Sequence, residues 1–208
     1  MVSNLHAMVG AIVVCGGRSR RFGDREKTLA ELDGRPLLRH VAARVEPLVD
    51  EVVLSCRRDQ EAALDRALEG YPIPVEYAFD TGVDAGPLHG MRRGFEVIGS
   101  PVAFVLACDM PFVDPALLDH LVGRLEEHDA AVPLHRGHVQ PLAGAYRVAP
   151  MRSLLAGSAR DDIDSPMAAV TAVDTAVVDP ADLEVTVDDR TFFNVNTPVD
   201  LRRAREHL

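Results

Sequence analysis

The stretch VGAIVVCGGRSRRFGDREK, Val9 to Lys27, decides how the rest of the chain is read. It opens with an uninterrupted apolar run, Val9–Val14, closed by Cys15, Gly16 and Gly17. So short a run, without polar alternation, predicts a strand buried on both faces, as in a parallel sheet covered by helices. The glycines let the following backbone come close to a ligand and present its N–H groups to phosphate. Arg18, Arg20, Arg21 and Lys27 then add positive charge, and the chain's 22 basic residues are all arginine except Lys27. Arginine grips phosphate through a planar fork, whereas lysine is a compact point charge on a flexible stem. The loop lacks both the G-K-[ST] of a Walker motif and the G-x-G-x-x-G of a dinucleotide fold. A solvated basic turn is the competing reading. The density of cations directly after a buried strand, in a chain of net charge −10, favours phosphate binding.

Downstream, strands and helices alternate. Leu37, Leu38, Val41, Val45 and Leu48 form one helical stripe, with Pro36 at the favoured first-turn position. Strand-like EVVLSC is followed by a helix over DQEAALDRALEG, with Asp59 as its expected cap and Gly70 as its stop. PVEYAF predicts a strand, PLHGMRRGFEVI a helix and VAFVLACD a strand. The next helix has Asp114 as cap, Pro115 at its first position, and Leu117, Leu118, Leu121 and Leu125 on one face. Two extended stretches around Arg136-Gly137 predict a hairpin, TAVDTAVVD a further strand, and TPVDLRRAREHL a last helix capped by Thr197 with Pro198 behind it. The expected fold class is α/β: three layers, α/β/α, with a mostly parallel, Rossmann-like sheet and an antiparallel hairpin insertion in the C-terminal half. No repeat or linker interrupts residues 1–208, which are expected to form one domain.

Bulk properties narrow the function. A hydrophobic fraction of 47% and a charged fraction of 26% are those of a soluble globule, and no run reaches the ~20 apolar residues of a membrane span. The first residues lack a basic n-region, which argues against a signal peptide. The acidic balance argues against nucleic acid as a partner. Cys15, Cys56 and Cys108 cannot all pair, which suits a reducing, cytoplasmic location. Each falls at the end of an expected strand, so all three can share one rim of the sheet; small buried thiols account for them better than a metal site.

Ligands of open parallel sheets bind beyond the carboxyl ends of the strands, so the loops there are the candidate site. Asp109 ends an apolar run and precedes a proline turn, and because Asp114 already serves as a cap, Asp109 is available for Mg²⁺. Asp80 and Asp84 lie beside Gly86 and Gly90 in a loop able to approach a nucleotide, although a surface loop accounts for the same residues. Asn194 and Asn196 precede the last helix and serve equally as ligands or turn formers. His135 and His138, on the expected hairpin turn, read as surface residues. There is no G-x-S-x-G and no Ser/His/Asp arrangement for a serine hydrolase.

GGRSRRFGDREK, DAGPLHGM, ACDMPF, QPLAGAYR and FFNVNTPVDL occur in this order along nearly the whole chain. Together they closely resemble the molybdenum cofactor guanylyltransferases (MobA-type), which share a nucleotidyltransferase fold with sugar-nucleotide synthases. The resemblance implies Mg²⁺-dependent transfer of GMP from GTP to the terminal phosphate of molybdopterin, with release of pyrophosphate. It implies that Val14, Cys15, Gly16 and Gly17 line the nucleotide, and that Lys27, helped by Arg20 and Arg21, contacts the phosphates. Asp80 would then sit in the nucleotide site, Asp109 would hold Mg²⁺, and Gln140, Asn194 and Asn196 would lie toward the pterin. Cys15 stands where relatives often have Ala, and Ser55 where they often have Asn; a hydroxyl makes one hydrogen bond to base or ribose in place of the paired pattern of an amide. Transient contact with other molybdenum cofactor enzymes is a further implication. Three alternatives stay open. A cytidylyltransferase on the same pterin is disfavoured because such relatives tend to carry D-x-D-T-P where this chain has Asn194-Val195-Asn196-Thr197-Pro198. The others are a different small nucleotidyl acceptor and a non-catalytic nucleotide-binding module.

Overall fold

The computed structural model describes residues 8–16, 27–80, 86–156, 163–183 and 186–208. Strand β1 (Val9–Val14) lies at the centre of the main sheet and is buried on both faces, as its apolar run predicts. Ala11 and Val13 face one helical layer, Ile12 and Val14 the other. Beside β1 lie β4 (Glu51–Cys56) and β6 (Val102–Ala107), both parallel to it, and β5 (Val75–Phe79) extends the sheet beyond β4. A two-stranded ribbon, β2 (Glu31–Leu32) with β3 (Arg35–Pro36), stands apart.

The C-terminal half adds the antiparallel element. β7 (Ala130–His135) turns into the short β8 (His138–Val139). The chain then leaves that hairpin, and β9 (Ala143–Arg147) inserts antiparallel between β6 and β7. β10 (Thr175–Val178) closes the edge parallel to β7. The order is β10-β7-β9-β6-β1-β4-β5, with β8 on β7. Because β9 runs against both neighbours, β7 and β10 point the same way as β1, and their carboxyl ends share its edge of the sheet.

Helices α1 (Leu37–Val45), α2 (Glu61–Ala67) and α4 (Pro115–Arg124) cover one face through Leu38, Val41, Leu64, Leu117 and Leu121. The other face is covered by α3 (Gly86–Val97), α5 (Val148–Ala156) and α6 (Pro166–Thr171) through Met91, Phe95, Met151 and Val170. Helix α7 (Pro198–Arg205) and the ribbon share a small third cluster in which Leu32, Leu37, Phe112, Val195 and Ala204 are buried.

The expected caps of α4 and α7 are present: Asp114 accepts from the Ala116 N–H, and Thr197 from that of Asp200. Asp59 does not cap α2. It lies in a 3₁₀ turn, Arg58–Gln60, paired with Arg57, while the Gln60 side chain accepts from the Arg57 N–H. A carboxylate beside an arginine two residues away has a stronger partner than a backbone amide. Helices α5 and α6 were not anticipated, although Ser165-Pro166 carries the same cap-and-proline start as α4 and α7; Ser165 accepts from Ala168 N–H.

Helix α3 crosses β1 closely because Gly94 has no side chain. A Cβ there would stand 2.2 Å from Cγ2 of Ile12, which is fully buried. Gly94→Ala gains about 1 kcal/mol of helix propensity but overpacks a β-branched residue that cannot move aside, at a cost of about 1–3 kcal/mol. Gly123, in α4, has nothing within 4 Å of the same position. Thermal unfolding is expected to show a lowered Tm for Gly94→Ala and a raised one for Gly123→Ala. The same sign for both would contradict this packing.

Candidate functional site

The chain runs from β1 to β4 and β5 on one side, then returns to β6 on the other side of β1. The exits of β1 and β6 therefore diverge into a crevice, the position where open α/β sheets bind ligands. Sheet pairing continues one residue past β1: Cys15 N–H donates to the Ser55 carbonyl at 2.8 Å, and Cys108 N–H to that of Val14 at 3.3 Å. Gly16 is the first residue beyond the ladder, so the Val14 carbonyl and Cys15 amide face neighbouring strands. Cys15, Cys56 and Cys108 stand level on three adjacent strands, all buried and none in a disulfide.

Asp109 follows β6 in a tight turn closed by Met110 N–H on the Ala107 carbonyl and Val113 N–H on that of Met110. Its carbonyl accepts from the Val195 N–H at 2.9 Å, which ties it to the segment before α7. Lys27 opens a 3₁₀ turn, Lys27–Leu29. The Lys27 ammonium pairs with Oδ2 of Asp109 and donates to Oδ1 of Asn196 at 2.6 Å. Both charged side chains are largely buried, 17% and 12% exposed, so solvent screens the pair weakly. One residue away, Oγ1 of Thr28 meets Sγ of Cys108 at 3.7 Å, a second contact between the same two segments. Oδ1 of Asp109 is buried and has no hydrogen-bond partner among the described residues.

The other flank of the crevice is built from small residues. A Cβ on Gly16 would meet Oδ2 of Asp80 at 2.7 Å, so with any other residue the carboxylate would have to shift. A Cβ on Gly90 would stand 2.8 Å from Cγ1 of Val14 and 3.0 Å from Oγ of Ser55. Ser55 is fully buried, and neither its Oγ nor Oδ1 of Asp80 has a hydrogen-bond partner among the described residues. Burial raises the Asp80 carboxyl above its ordinary value, against the opposing pull of His89, Arg57 and Arg93. Those three basic residues belong to this flank and were not singled out in sequence; their signal was position, since Arg57 follows β4 directly and His89 and Arg93 lie on α3.

Asn196 and Asn194 differ in their roles. Asn196 N–H donates to the Asp200 carboxylate at 3.1 Å while its side chain reaches Lys27. The Asn194 side chain donates to the Phe192 carbonyl at 3.2 Å, a turn-forming bond. Gln140 lies at the same edge, just before β9, with its side chain on the His138 carbonyl at 3.0 Å. Of the two histidines, His138 is exposed, but His135 is half-buried and stacked on Phe192 with ring centroids 4.3 Å apart. The surface reading thus fails for His135, because the segment before α7 folds back over β7. Gly17, Arg18, Arg20, Arg21 and Asp84 lie outside the described residues. No helix among the described residues is long and apolar enough to cross a membrane.

Known proteins resemble this chain in sequence and fold. Residues 11–162 match the family model of the MobA-like NTP transferase domain. A "Probable molybdenum cofactor guanylyltransferase" of Natronomonas pharaonis is 39% identical, over 95% of this chain and 96% of the relative. The molybdenum cofactor guanylyltransferase of Pseudomonas entomophila is 31% identical, over 90% and 93%. Among solved structures, molybdopterin-guanine dinucleotide biosynthesis protein A of Archaeoglobus fulgidus superposes with a TM-score of 0.74 at 30% identity, over 96% of this chain and 98% of that one.

A carboxyl whose pKa is raised on folding holds its proton more tightly in the native state, so its contribution is favourable at low pH and is lost as pH rises. Asp80→Asn is therefore expected to raise Tm near neutral pH. The gain should fade below about pH 4, where the unfolded carboxyl is also protonated. Thermal unfolding across that range checks this, and an unchanged Tm at neutral pH goes against it.

Proposed function

The chain belongs to the MobA-like NTP transferases, and from that premise we propose that the cluster of Lys27, Asp109 and Asn196 serves guanylyl transfer to the molybdenum cofactor. An oxygen of the terminal phosphate of molybdopterin attacks the α-phosphorus of GTP. The bond from that phosphorus to the bridging oxygen breaks, pyrophosphate leaves, and a guanine dinucleotide forms. No covalent enzyme intermediate is needed, so the protein's part is alignment and charge neutralisation. The observation that carries this reading is the convergence of three distant segments on one buried ion pair, beside a carboxylate oxygen with no partner among the described residues.

Asp109 and the Asn196 amide offer hard oxygens, a donor set that fits Mg²⁺, which needs one or two protein ligands when phosphates and water supply the rest. Asp109 would hold the ion, with Asn196 as the second donor, and the ion would neutralise charge on the α-phosphate and the leaving pyrophosphate. Lys27, balanced by Asp109 before substrate enters, has a compact ammonium that can turn to the phosphates. Arg20 and Arg21 would add to the field, with Gly16 and Gly17 giving the nucleotide close approach. The Ser55 hydroxyl and Asp80 suit the base and ribose, and Gln140 and Asn194 the pterin side. We read residues 1–208 as one domain, with both halves of the cleft on one sheet. Three buried cysteines outside any disulfide fit a reducing cytosol, where product would pass by transient contact to other molybdenum cofactor enzymes. Amides in place of acids at Asn194 and Asn196 favour GTP over CTP.

Lys27→Met and Asp109→Asn are each expected to lower kcat by about 10²–10³, the effect of losing one preorganised electrostatic group. Lys27→Arg should also lower kcat by at least about tenfold, because the fork is bulkier than an ammonium. Pyrophosphate release with GTP, molybdopterin and Mg²⁺ measures this. Near-normal turnover by Lys27→Arg would make the lone lysine an accident of composition, and turnover with CTP in preference to GTP would reassign the nucleotide.

A further inference from the structure

The smallest of the three apolar clusters is built from the segments that carry the site. Leu32 lies five residues after Lys27, Phe112 three after Asp109, and Val195 one before Asn196. With Leu37 and with Ala204 of α7 they form one buried cluster. Hydrogen bonds tie the same segments together. Val195 N–H donates to the Asp109 carbonyl at 2.9 Å, and Arg205 of α7 donates to the Glu31 carbonyl at 3.3 Å. Ala30 N–H closes its turn onto the Lys27 carbonyl at 3.0 Å. Each of the three site residues is thus anchored close to a packed apolar side chain, which limits how far its backbone can drift.

The start of α7 shows how Asn196 is held. Thr197 is the N-cap, Pro198 the first helical residue and Asp200 the third. In an ordinary capping box the cap hydroxyl accepts from the N–H of that third residue, whose carboxylate accepts in turn from the backbone N–H of the cap itself. The first half is present: the Thr197 hydroxyl accepts from Asp200 N–H at 3.2 Å. The second half is displaced by one residue. Oδ2 of Asp200 accepts from Asn196 N–H at 3.1 Å, and the Thr197 hydroxyl donates its own proton to the same oxygen at 2.8 Å. The bond to Asn196 lies outside the helix that Thr197 caps. What it fixes is the backbone of the residue whose Oδ1 accepts from the Lys27 ammonium at 2.6 Å.

We infer that Asp200 is a positioning residue for guanylyl transfer, acting through Asn196 on Lys27. The Asp200 carboxylate holds the Asn196 N–H, and Asn196 Oδ1 holds the Lys27 ammonium beside Asp109. Asn196 is exposed, so packing does not fix its amide, and a carboxylate from the first turn of α7 does. The Lys27 stem is flexible, and its ammonium needs a fixed acceptor to stand in one place. Displacing a reacting group by about 1 Å can cost about 10²-fold in rate. Asp200 therefore sets where the charge stands without taking part in the chemistry, a role that rests on guanylyl transfer as the reaction served.

Asp200→Ala, Asn196→Ala and the double variant test this against Arg203→Gly, an exposed position of α7 where glycine weakens the helix by propensity alone. Asp200→Ala and Arg203→Gly should each lower Tm by roughly 2–4 °C. Asp200→Ala is expected to lower kcat at least about tenfold, while Arg203→Gly stays within about twofold of wild type. In the Asn196→Ala background, Asp200→Ala should cost less than about twofold more, because its effect passes through that residue. A second readout needs no turnover. Lys27 is the chain's only lysine, so lysine labelled with carbon-13 at Cε gives one NMR side-chain signal, next to the ammonium. That signal should move in Asn196→Ala and in Asp200→Ala and keep its wild-type position in Arg203→Gly. An unmoved signal in Asp200→Ala, full additivity of the two substitutions, or an equal fall in kcat for Arg203→Gly each overturns the positioning role while leaving guanylyl transfer intact. A wild type whose Lys27 signal responds as expected but which transfers no GMP keeps Asp200's hold on Lys27 and overturns the reaction.

Discussion

The ion pair between Lys27 and Asp109 is the contact on which the arrangement of the cleft depends. Its partners are 82 residues apart, and the Asn196 that shares the ammonium lies 169 residues beyond Lys27. What brings them together is the placement of β6 next to β1, which puts the end of the basic loop beside the exit of β6. The pair does not stand alone. The Thr28 hydroxyl meets the Cys108 thiol, and the Val195 amide donates to the Asp109 carbonyl, so each residue is held through its neighbour as well as by its own charge. Buried charges need such support, because desolvation offsets much of their attraction.

On either side of this pair the two halves of the edge are built by different means. The β5-β4-β1 side works by removal of bulk. Gly16 and Gly90 let β1, α3 and the Asp80 carboxylate approach to distances at which a Cβ would force a neighbour to shift. It leaves polar atoms, Oγ of Ser55 and Oδ1 of Asp80, buried without partners among the described residues. Such groups are costly unless a ligand completes them. The β9-β7-β10 side works by inversion of one strand. β9 enters antiparallel beside β6 and places Gln140 at the same edge, and the buried Tyr146 hydroxyl holds that turn by donating to the Pro141 carbonyl at 2.6 Å.

Much of this was legible in advance, for local reasons. Val9–Val14 is apolar throughout and therefore buried on both faces, and Asp114-Pro115 and Thr197-Pro198 are helix starts whose mechanism acts within three residues. Asp109 was recognisable because its neighbour Asp114 already had a task. What misled in each case was a competing partner. Asp59 has the right type for a cap but sits beside Arg57, and His135 sits in a hairpin but is covered by Phe192. Arg57 stands two residues from Asp59, whereas Phe192 reaches His135 from a separate segment before α7.

The sequence by itself determined the periodicities, the caps, the glycine-rich exits and the single lysine, because these are properties of a residue and its near neighbours along the chain. Its motif order was enough to suggest the family. Only the tertiary structure decided which exits adjoin, that β9 would insert between β6 and β7, and that His135 would face Phe192. Those outcomes depend on strand order and on contacts between segments far apart in the chain, and the energy that selects among them comes from burying two faces of one sheet at once.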